Sequence, residues 1–284
     1  MSSSRMHLLI ILFLFLYEIE KLKLQSLSLL FMRNKQKIDI CLSPSIIDLF
    51  DLSSKKVIII DVFRATSAMC VFLNNGGNQV IPVSTIEEAN KYKACNKIND
   101  YRYLVAAERN GAIVPGFDLG NSPLLYHDKN FNGHALVITT TNGTLAIEKS
   151  KELASGMLLA SFLNASAIVN YILSSIKEDV LIVCSGWKGQ VCVEDLLLAG
   201  LLSKEILLDN RFYANSDSVL LANHMYDLAK SNLFEFLIDS AYRKRMNLDE
   251  DVKYCLQKDI MSIVPIWAQK NIEPFSNSGY FYLV

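Results

Sequence analysis

The sequence lacks several features that would place the protein in a familiar class. Its formal net charge is −1 and no long Lys/Arg block stands out, which argues against nucleic acid or an anionic membrane as a partner. Its six cysteines include no Cys-x-x-Cys pair, so no structural zinc site is indicated. The apolar run from Leu8 to Tyr17 is shorter than the about 20 residues that span a bilayer. We therefore expect a reduced, cytoplasmic protein without a stable membrane span.

The first 36 residues differ in composition from the rest of the chain. We expect residues 1–36 to form an N-terminal extension outside the fold, with translation starting at Met32. A membrane-surface anchor and a signal peptide are the alternatives for this segment. The chain as a whole is 51% hydrophobic and 20% charged, which suits a compact globule. Residues 37–284 are expected to form one domain, or two closely packed lobes.

Motifs of the common phosphate chemistries are also missing. An aspartyl-phosphate phosphatase of the haloacid dehalogenase type needs Asp-x-Asp, but Asp61 is followed two residues later by Phe63. A cysteine phosphatase needs Cys-x5-Arg, but the sixth residue after Cys184 is Gln190. Neither a GxxxxGK[ST] loop nor a GxGxxG fingerprint occurs. All four histidines lie outside the polar clusters described next, so a histidine-based metal site is not indicated.

Five apolar, β-branched runs end abruptly in polar, glycine-containing clusters, which we call the strand-end clusters. They begin at Asp61, Glu108, Thr139, Ser161 and Cys184. In open α/β sheets the ligand lies beyond the carboxyl ends of the strands, so the repeated pattern predicts one shared site. Helical patterns alternate with these runs. The sequence therefore predicts an α/β fold, a mixed sheet flanked by helices, with its site at the carboxyl ends of the strands.

Four further segments carry specific structural expectations. Residues from Gly111 to Pro123 are too rich in glycine and proline for a regular element and are predicted to form a defined loop. One or two amphipathic helices are expected between Asn215 and Met246. Lys258 to Trp267 is expected to be a strand, and the aromatic tail from Tyr280 to Val284 an edge strand. An exposed aromatic tail would also make a homodimer plausible.

The first two clusters pair an acid with an arginine. Asp61 at a strand end is either a helix cap or a ligand for a hard metal ion. Arg64 matches phosphate or sulfonate oxygens bidentately, although a salt bridge to Asp61 would explain it equally well. Glu108 and Arg109 repeat the pairing at another strand end, which favours function over an accidental ion pair.

The remaining clusters offer hydroxyl, amide and backbone N–H groups. The segment from Thr139 to Thr144 precedes a helix and suits an anion, although ordinary N-capping is an alternative. Ser161 and Asn164 are weaker candidates, since they suit the cap of the next helix. In the last cluster the glycines permit close backbone approach, and Lys188 is placed to meet an oxyanion. Glu194 and Asp195 are explained by the helix dipole alone.

The ordered set of motifs resembles the 2-phosphosulfolactate phosphatase family from about Lys37 to Pro265. The matching segments are Asp61-Val-Phe-Arg-Ala-Thr, Glu108-Arg, Gly116-Phe-Asp-Leu-Gly-Asn-Ser-Pro, Thr139-Thr-Thr-Asn-Gly-Thr, Ser161-Phe-Leu-Asn and Cys184-Ser-Gly-Trp-Lys-Gly with Glu194-Asp. The resemblance implies the α/β fold of that family and a Mg²⁺-dependent phosphatase. Its substrate would be the small polyanion 2-phospho-3-sulfolactate, converted to sulfolactate and phosphate in a step toward coenzyme M.

The resemblance also implies roles for individual residues. Asp61, with Glu108 or Asp118, would bind Mg²⁺, and Lys188 would stabilise developing charge. The phosphate and sulfonate would be held by a larger set: Arg64, Arg109, Asn121, Thr139, Thr140, Thr141, Asn142, Gly143, Ser161, Asn164 and Gly186. One departure is Tyr242, where family members usually have histidine. It leaves open a catalytically altered anion-binding module, and another enzyme of sulfopyruvate or sulfolactate metabolism is a further alternative.

Overall fold

The computed structural model describes residues 13–23, 35–95, 97–98, 101–109, 111–140, 142–269 and 279–284. These residues form an α/β fold with a mixed sheet flanked by helices, which confirms the predicted class. The strands are β1 Gln36–Cys41, β2 Lys55–Ile60, β3 Gln79–Pro82, β4 Lys97–Ile98, β5 Tyr101–Arg109, β6 Ala112–Ile113, β7 His134–Thr139, β8 Gly156–Ala160, β9 Asp179–Cys184, β10 Phe212–Tyr213, β11 Pro265–Gln269 and β12 Gly279–Leu283.

The sheet consists of two parallel sets joined by an antiparallel hairpin. Its order is β10-β1-β9-β2-β8-β11-β12-β3-β7-β5-β4, with β6 paired to β5. Strands β10, β1, β9, β2 and β8 are mutually parallel, as are β3, β7 and β5. The hairpin β11–β12 lies between the two sets and pairs antiparallel with β8 and β3.

The aromatic tail is therefore an interior strand, and the prediction of an edge strand was wrong. Phe281 of β12 is opposite Trp267 on one side and Val80 on the other. Its ring is fully buried, because neighbouring strands and the core below cover it. Tyr280 and Tyr282 are half-buried. The tail is thus no exposed aromatic surface, and the homodimer remains a prediction without this support.

Helices cover both faces of the sheet. Residues 13–23 form α1, and the others are α2 Ala65–Asn74, α3 Ile86–Cys95, α4 Gly143–Ser150, α5 Ala165–Ser175, α6 Val193–Ile206, α7 Asp217–Ala229, α8 Leu233–Phe236, α9 Ala241–Met246 and α10 Asp249–Cys255. Short 3₁₀ turns occupy Pro44–Leu49, Pro123–Leu125 and Phe162–Asn164. Within the described residues no helix is long and apolar enough to cross a membrane.

The alternation of side chains along β2 shows how the core is divided. Ile58 and Ile60 pack in one apolar cluster, with residues of α5, α6 and α7. Val57 and Ile59 point to the other face and pack in a second cluster, with residues of α2 and α4. Both faces are fully buried, which explains why the strand reads as a continuous apolar run.

Three other expectations need correction. The segment from Gly111 to Pro123 contains β6, which pairs with the end of β5. Residues 215–246 contain three helices, because the side chains of Asn232 and Ser240 cap new helices, α8 and α9. The strand expected from Lys258 begins only at Pro265. The intervening backbone instead bonds to the 3₁₀ turn Phe162–Asn164, through the N–H groups of Asp259 and Met261.

Candidate active site

A cavity of about 430 Å³ opens where residues at the ends of β2, β5, β7 and β9 meet. The first turn of α6 and the helix α9 complete its wall. Charged and polar groups dominate the lining: Asp61, Arg64, Glu108, Arg109, Asn121, Thr140, Asn142, Lys188, Glu194, Asp195, Tyr242 and Arg245. The cavity thus gathers residues from four of the five strand-end clusters.

Hydrogen bonds within the turn after β2 fix the position of Asp61. The Thr66 hydroxyl donates to the Asp61 carbonyl oxygen at 2.9 Å, and the Asp61 N–H donates back to that hydroxyl at 3.1 Å. The N–H of Ala65 donates to Oδ1 of Asp61 at 3.3 Å. Gly143 leaves room on the other side, since a Cβ there would lie 2.8 Å from Oδ2 of Asp61. The carboxylate is therefore held against the cavity with 8% of the residue exposed.

Three buried carboxyl groups lie together in this wall: Asp61, Glu194 and Asp195. Burial raises the pKa of Asp61 to about 6 and that of Glu194 to about 7, where the charge of Asp61 adds to the effect. The pKa of Asp195 is also raised well above its ordinary value, by burial and then by its two acidic neighbours. Among the described residues, none of the three forms an ion pair. A concentration of uncompensated buried acid favours a bound cation.

Each oxygen of Asp195 accepts a hydrogen bond from the backbone of a neighbouring loop. The N–H of Val62 donates to Oδ1 at 2.9 Å, and the N–H of Gly186 donates to Oδ2 at 3.0 Å. These bonds tie the loops after β2 and β9 to the start of α6. The helix-dipole interpretation of Glu194 and Asp195 missed this arrangement, because the sequence gives no sign that α6 begins inside the cavity.

Arg64 lies between two carboxylates. Its Nη2 is 2.5 Å from Oε2 of Glu108, and its Nη1 is 3.1 Å from Oδ1 of Asp251. The other oxygen of Glu108 accepts the N–H of Asn121 at 2.6 Å. All three charged side chains are at most 10% exposed. Arg64 and Glu108 therefore pair with each other across the cavity floor, and no local sequence pattern indicated Asp251.

Hydrogen bonds also connect the loops after β7 and β9. The N–H of Lys188 donates to Oδ1 of Asn142 at 3.0 Å, while Thr140 Oγ1 accepts the N–H of Thr144 at 3.1 Å. Both Thr140 and Asn142 line the cavity just before α4. This part of the site has the predicted composition of hydroxyl, amide and backbone groups beside a helix start.

Some of the predicted site residues do not line the cavity. Asp118 is engaged elsewhere, since its Oδ2 accepts the N–H of Val105 at 2.9 Å. Ser161 and Asn164 cap a turn, where Asn164 Oδ1 accepts the N–H of Ser161 at 2.9 Å. Thr139 is fully buried at the end of β7. Thr141 lies outside the described residues.

The short helix α9 contributes cavity residues that were not among the predicted site residues. The Tyr242 ring packs on Phe63 with centroids 4.9 Å apart, and burial raises the pKa of its hydroxyl. Arg245 stacks on Trp187, with its Cζ 3.9 Å from the ring centroid. Two features of the sequence pointed to this wall: Tyr242, where family members usually have histidine, and the basic run Arg243-Lys-Arg, which by itself indicates a solvated helix end.

The chain as a whole is similar to known proteins of one family. The family model described as 2-phosphosulpholactate phosphatase matches residues 41–270. A protein of Thermotoga petrophila named "Probable 2-phosphosulfolactate phosphatase" is 38% identical over 214 residues, which cover 74% of this chain and 88% of that protein. A protein of Clostridium novyi with the same name is 36% identical over 232 residues, covering 81% and 96% respectively.

The α/β fold and the charged cavity at its strand ends define an enzyme of the phosphatase class. The chain belongs to the 2-phosphosulfolactate phosphatase family, which confirms the resemblance drawn from the motifs.

Proposed function

We propose that the protein hydrolyses the phosphate monoester of 2-phospho-3-sulfolactate to sulfolactate and phosphate. One observation carries the proposal: a single cavity combines a buried carboxylate cluster with several cations, in a chain whose relatives bear that enzyme's name. The substrate is a small molecule with phosphate, carboxylate and sulfonate groups. A protein of net charge −1 that concentrates cations in one cavity is suited to such a polyanion.

We further propose that the enzyme uses Mg²⁺. No group of three or more His, Cys, Asp or Glu side chains in the described part of the chain is arranged to hold a metal by itself. Mg²⁺ usually binds through one or two carboxylates plus waters and substrate phosphate, so this arrangement fits it. Asp61 and Glu194 would hold the ion, and Asp195, whose oxygens each accept a backbone N–H, would brace the loops beside them. When bound, Mg²⁺ neutralises charge on the phosphate oxygens.

The chain's own residues would position the phosphate and stabilise its charge, which is most of what phosphoryl transfer requires. Thr140 and Asn142 precede the N-terminus of α4, where N–H groups and the helix dipole favour an anion. Lys188 lies on the facing loop and is fixed there by its bond to Asn142. The Arg64 network, in contrast, would hold the cavity floor in shape. This arrangement is compatible with two mechanisms: direct attack of water on the phosphate, or attack of the Asp61 carboxylate on the phosphate.

We also propose a cellular compartment and a pathway for this activity. All six cysteines are free and four are buried, which is consistent with a reducing compartment such as the cytoplasm. The product sulfolactate is a precursor on the route to coenzyme M in the pathway that the resemblance implies, and we propose that step or a related sulfonate pathway as the context.

The direct test measures phosphate release from 2-phosphosulfolactate by the purified full chain, with Mg²⁺ and with a chelator. Release that depends on Mg²⁺ is expected. Tight binding of sulfolactate without any release would favour the anion-binding module, for which the substitution at Tyr242 is the relevant observation. Decarboxylation of sulfopyruvate would favour the other enzyme of the pathway.

A further inference from the structure

The cations of the cavity fall into two groups. Arg64 is neutralised by Glu108 and Asp251, as described above. Arg109, Lys188 and Arg245 also line the cavity, but among the described residues they form no ion pair with any carboxylate. Cations that face a partly closed cavity without an acidic partner are available to an anionic ligand.

Arg245 is the member of this group whose position is best defined. Its guanidinium stacks on the Trp187 ring at 3.9 Å, and the Nζ of Lys188 is 4.5 Å from the centroid of the same ring. A cation–π contact orients a guanidinium but leaves its N–H groups and its charge free for a ligand. Trp187 thus brings two cations together at the cavity wall.

Hydrogen bonds fix both elements that carry this contact, the turn of Trp187 and the helix α9. Trp187 lies in a tight turn in which Trp187 and Gln190 exchange two backbone hydrogen bonds of 3.0 Å. On the other side, α9 is held by Arg243, whose Nε and Nη2 reach the two oxygens of Asp249 at 3.0 and 2.9 Å. Arg243 Nη1 also donates to the Phe234 carbonyl oxygen at 2.8 Å. Arg245 is therefore presented to the cavity from a braced helix.

Arg245 reaches the cavity from a different element than Asp61 and α4, and its charge also acts on Glu194, whose pKa it lowers against the larger rise from burial. Asp61 follows β2, whereas Arg245 and Trp187 belong to α9 and to the loop after β9. A phosphate seated near the acidic cluster and α4 leaves the Arg245 side of the cavity for the rest of the substrate. Guanidinium groups bind carboxylate and sulfonate oxygens in a bidentate fashion.

We propose that Arg245, held on Trp187, binds an anionic group of the substrate other than the phosphate, so that the cavity selects phosphate esters carrying a second anion. The inference rests on the proposed function, because it assigns a specificity-determining residue to that reaction. Lys188, whose Nζ lies over the same Trp187 ring, is the second cation at this wall.

Three esters test the inference: 2-phosphosulfolactate, 2-phosphoglycerate and glycerol 2-phosphate. All carry phosphate on the central carbon, but they have two, one and no other anionic groups. Arg245→Gln should lower kcat/KM for 2-phosphosulfolactate roughly 10- to 100-fold and leave glycerol 2-phosphate within about twofold. The response of 2-phosphoglycerate identifies the group: a loss implies the carboxylate, and no loss implies the sulfonate. Arg245→Lys keeps the positive charge but loses the bidentate guanidinium, so its kcat/KM for 2-phosphosulfolactate should lie between those of the wild type and Arg245→Gln.

Lys244→Gln is the matched control. Lys244 is on the same helix, carries the same charge and pairs with Asp239 on the surface, so its loss should leave all three substrates unchanged. An equal loss on all three esters with Arg245→Gln, or no loss on any, would overturn the inference.

A binding measurement separates failure of this inference from failure of the proposed function. Sulfolactate is titrated into the wild-type protein and into Arg245→Gln by calorimetry, without turnover. If the wild type releases phosphate from none of the esters, the proposed function fails, and weaker sulfolactate binding by the variant still supports the role of Arg245. Equal binding by the two proteins, or no binding by the wild type, overturns it.

Discussion

The guanidinium of Arg64 lies 2.5 Å from the carboxylate of Glu108, and Asp251 contacts it from the opposite side. Each residue had a separate role in the sequence-based interpretation: Arg64 for the phosphate and Glu108 for Mg²⁺. Together they form a buried acid–base–acid network in which one guanidinium contacts two carboxylates. We expect such a network to hold the cavity floor in shape, and we propose that other residues bind the ligands.

Breaking this network should be costly. Asp251→Ala removes one of the two carboxylates that contact Arg64, and loss of a buried bond to a charged group costs about 1.5–3 kcal/mol. Urea denaturation measures the change in the free energy of unfolding. Glu250→Ala on the same helix is the control, because Glu250 forms only an exposed pair with Lys253 and should cost less than about 1 kcal/mol. Equal effects of the two substitutions would contradict the buried network.

Removing the acidic cluster should abolish turnover without unfolding the protein. Asp61→Asn and Glu194→Gln are isosteric but remove the charges that would hold Mg²⁺. We expect each to lower kcat by roughly 10²–10⁴-fold, with an unchanged circular dichroism spectrum. Glu152→Gln, at an exposed residue away from the cavity, should retain full activity. Normal Mg²⁺-dependent turnover by Asp61→Asn would rule out both of its proposed roles.

The raised pKa of Glu194 gives stability a definite pH dependence. Burial moves this pKa from an ordinary 4.5 to about 7, so the folded state binds the proton more tightly than the unfolded state. Stability is therefore lost as the pH rises from about 4.5 through about 7. In protein stripped of metal, Glu194→Gln should raise the Tm by several degrees near pH 8 and have little effect near pH 4, because it removes a penalty of about 3 kcal/mol.

Calorimetric scans of wild type and variant across this range check that dependence. Adding Mg²⁺ near pH 8 should stabilise the wild type and leave the variant less affected, since the ion compensates the same charge. A variant that is less stable than the wild type near pH 8 would contradict the uncompensated carboxylate.

The turn that carries Trp187 should tolerate no side chain at Gly186. A Cβ there would lie 2.2 Å from the Gln190 carbonyl oxygen, at a φ of +58°. Gly133→Ala is a matched control with φ +73° and nothing within 4 Å, so it isolates backbone strain at about 1 kcal/mol. Gly186→Ala should cost clearly more in unfolding free energy and should also reduce kcat/KM. Similar unfolding costs for the two would mean that the turn adjusts freely.

The interior position of β12 predicts a large effect at Phe281. Its side chain is fully buried between Trp267 and the neighbouring strand, so Phe281→Ala should cost about 3–5 kcal/mol in urea denaturation. Val284→Ala, at an exposed position just beyond the strand, should change stability by less than about 0.5 kcal/mol. A small cost at Phe281 would indicate an edge position after all.

A strand could be predicted from the sequence wherever its local apolar pattern was enough to identify it. Val57 to Ile60 reads as a buried strand because both faces are covered, and the helical periodicity of residues 65–74 in the sequence matches the observed α2, Ala65–Asn74. Residues after four of the five strands converge as expected, since chain direction alone puts them at strand ends. In β12 the same local pattern, aromatic and β-prone, could not reveal which strands lie on either side.

Pairings within the site were less predictable than its location. That Arg64 meets Asp251, nearly 190 residues away, depends on how α10 packs, and no local pattern encodes that contact. Glu194 and Asp195 had a sufficient local explanation at a helix start, so their role in the cavity was hidden. Asp118 and Asn164 showed the reverse: polar residues in promising clusters whose bonds serve the backbone.

The hairpin between the two parallel sets also has a kinetic consequence. Phe281 pairs with Val80 across about 200 residues of chain, a closure that carries a high entropic cost before any contact repays it. We expect the sheet to be completed late and slowly, with the two sets unable to form one cooperative unit before that step. Unfolding should begin at the same seam, where one register pair joins β12 to β3 and one joins β11 to β8.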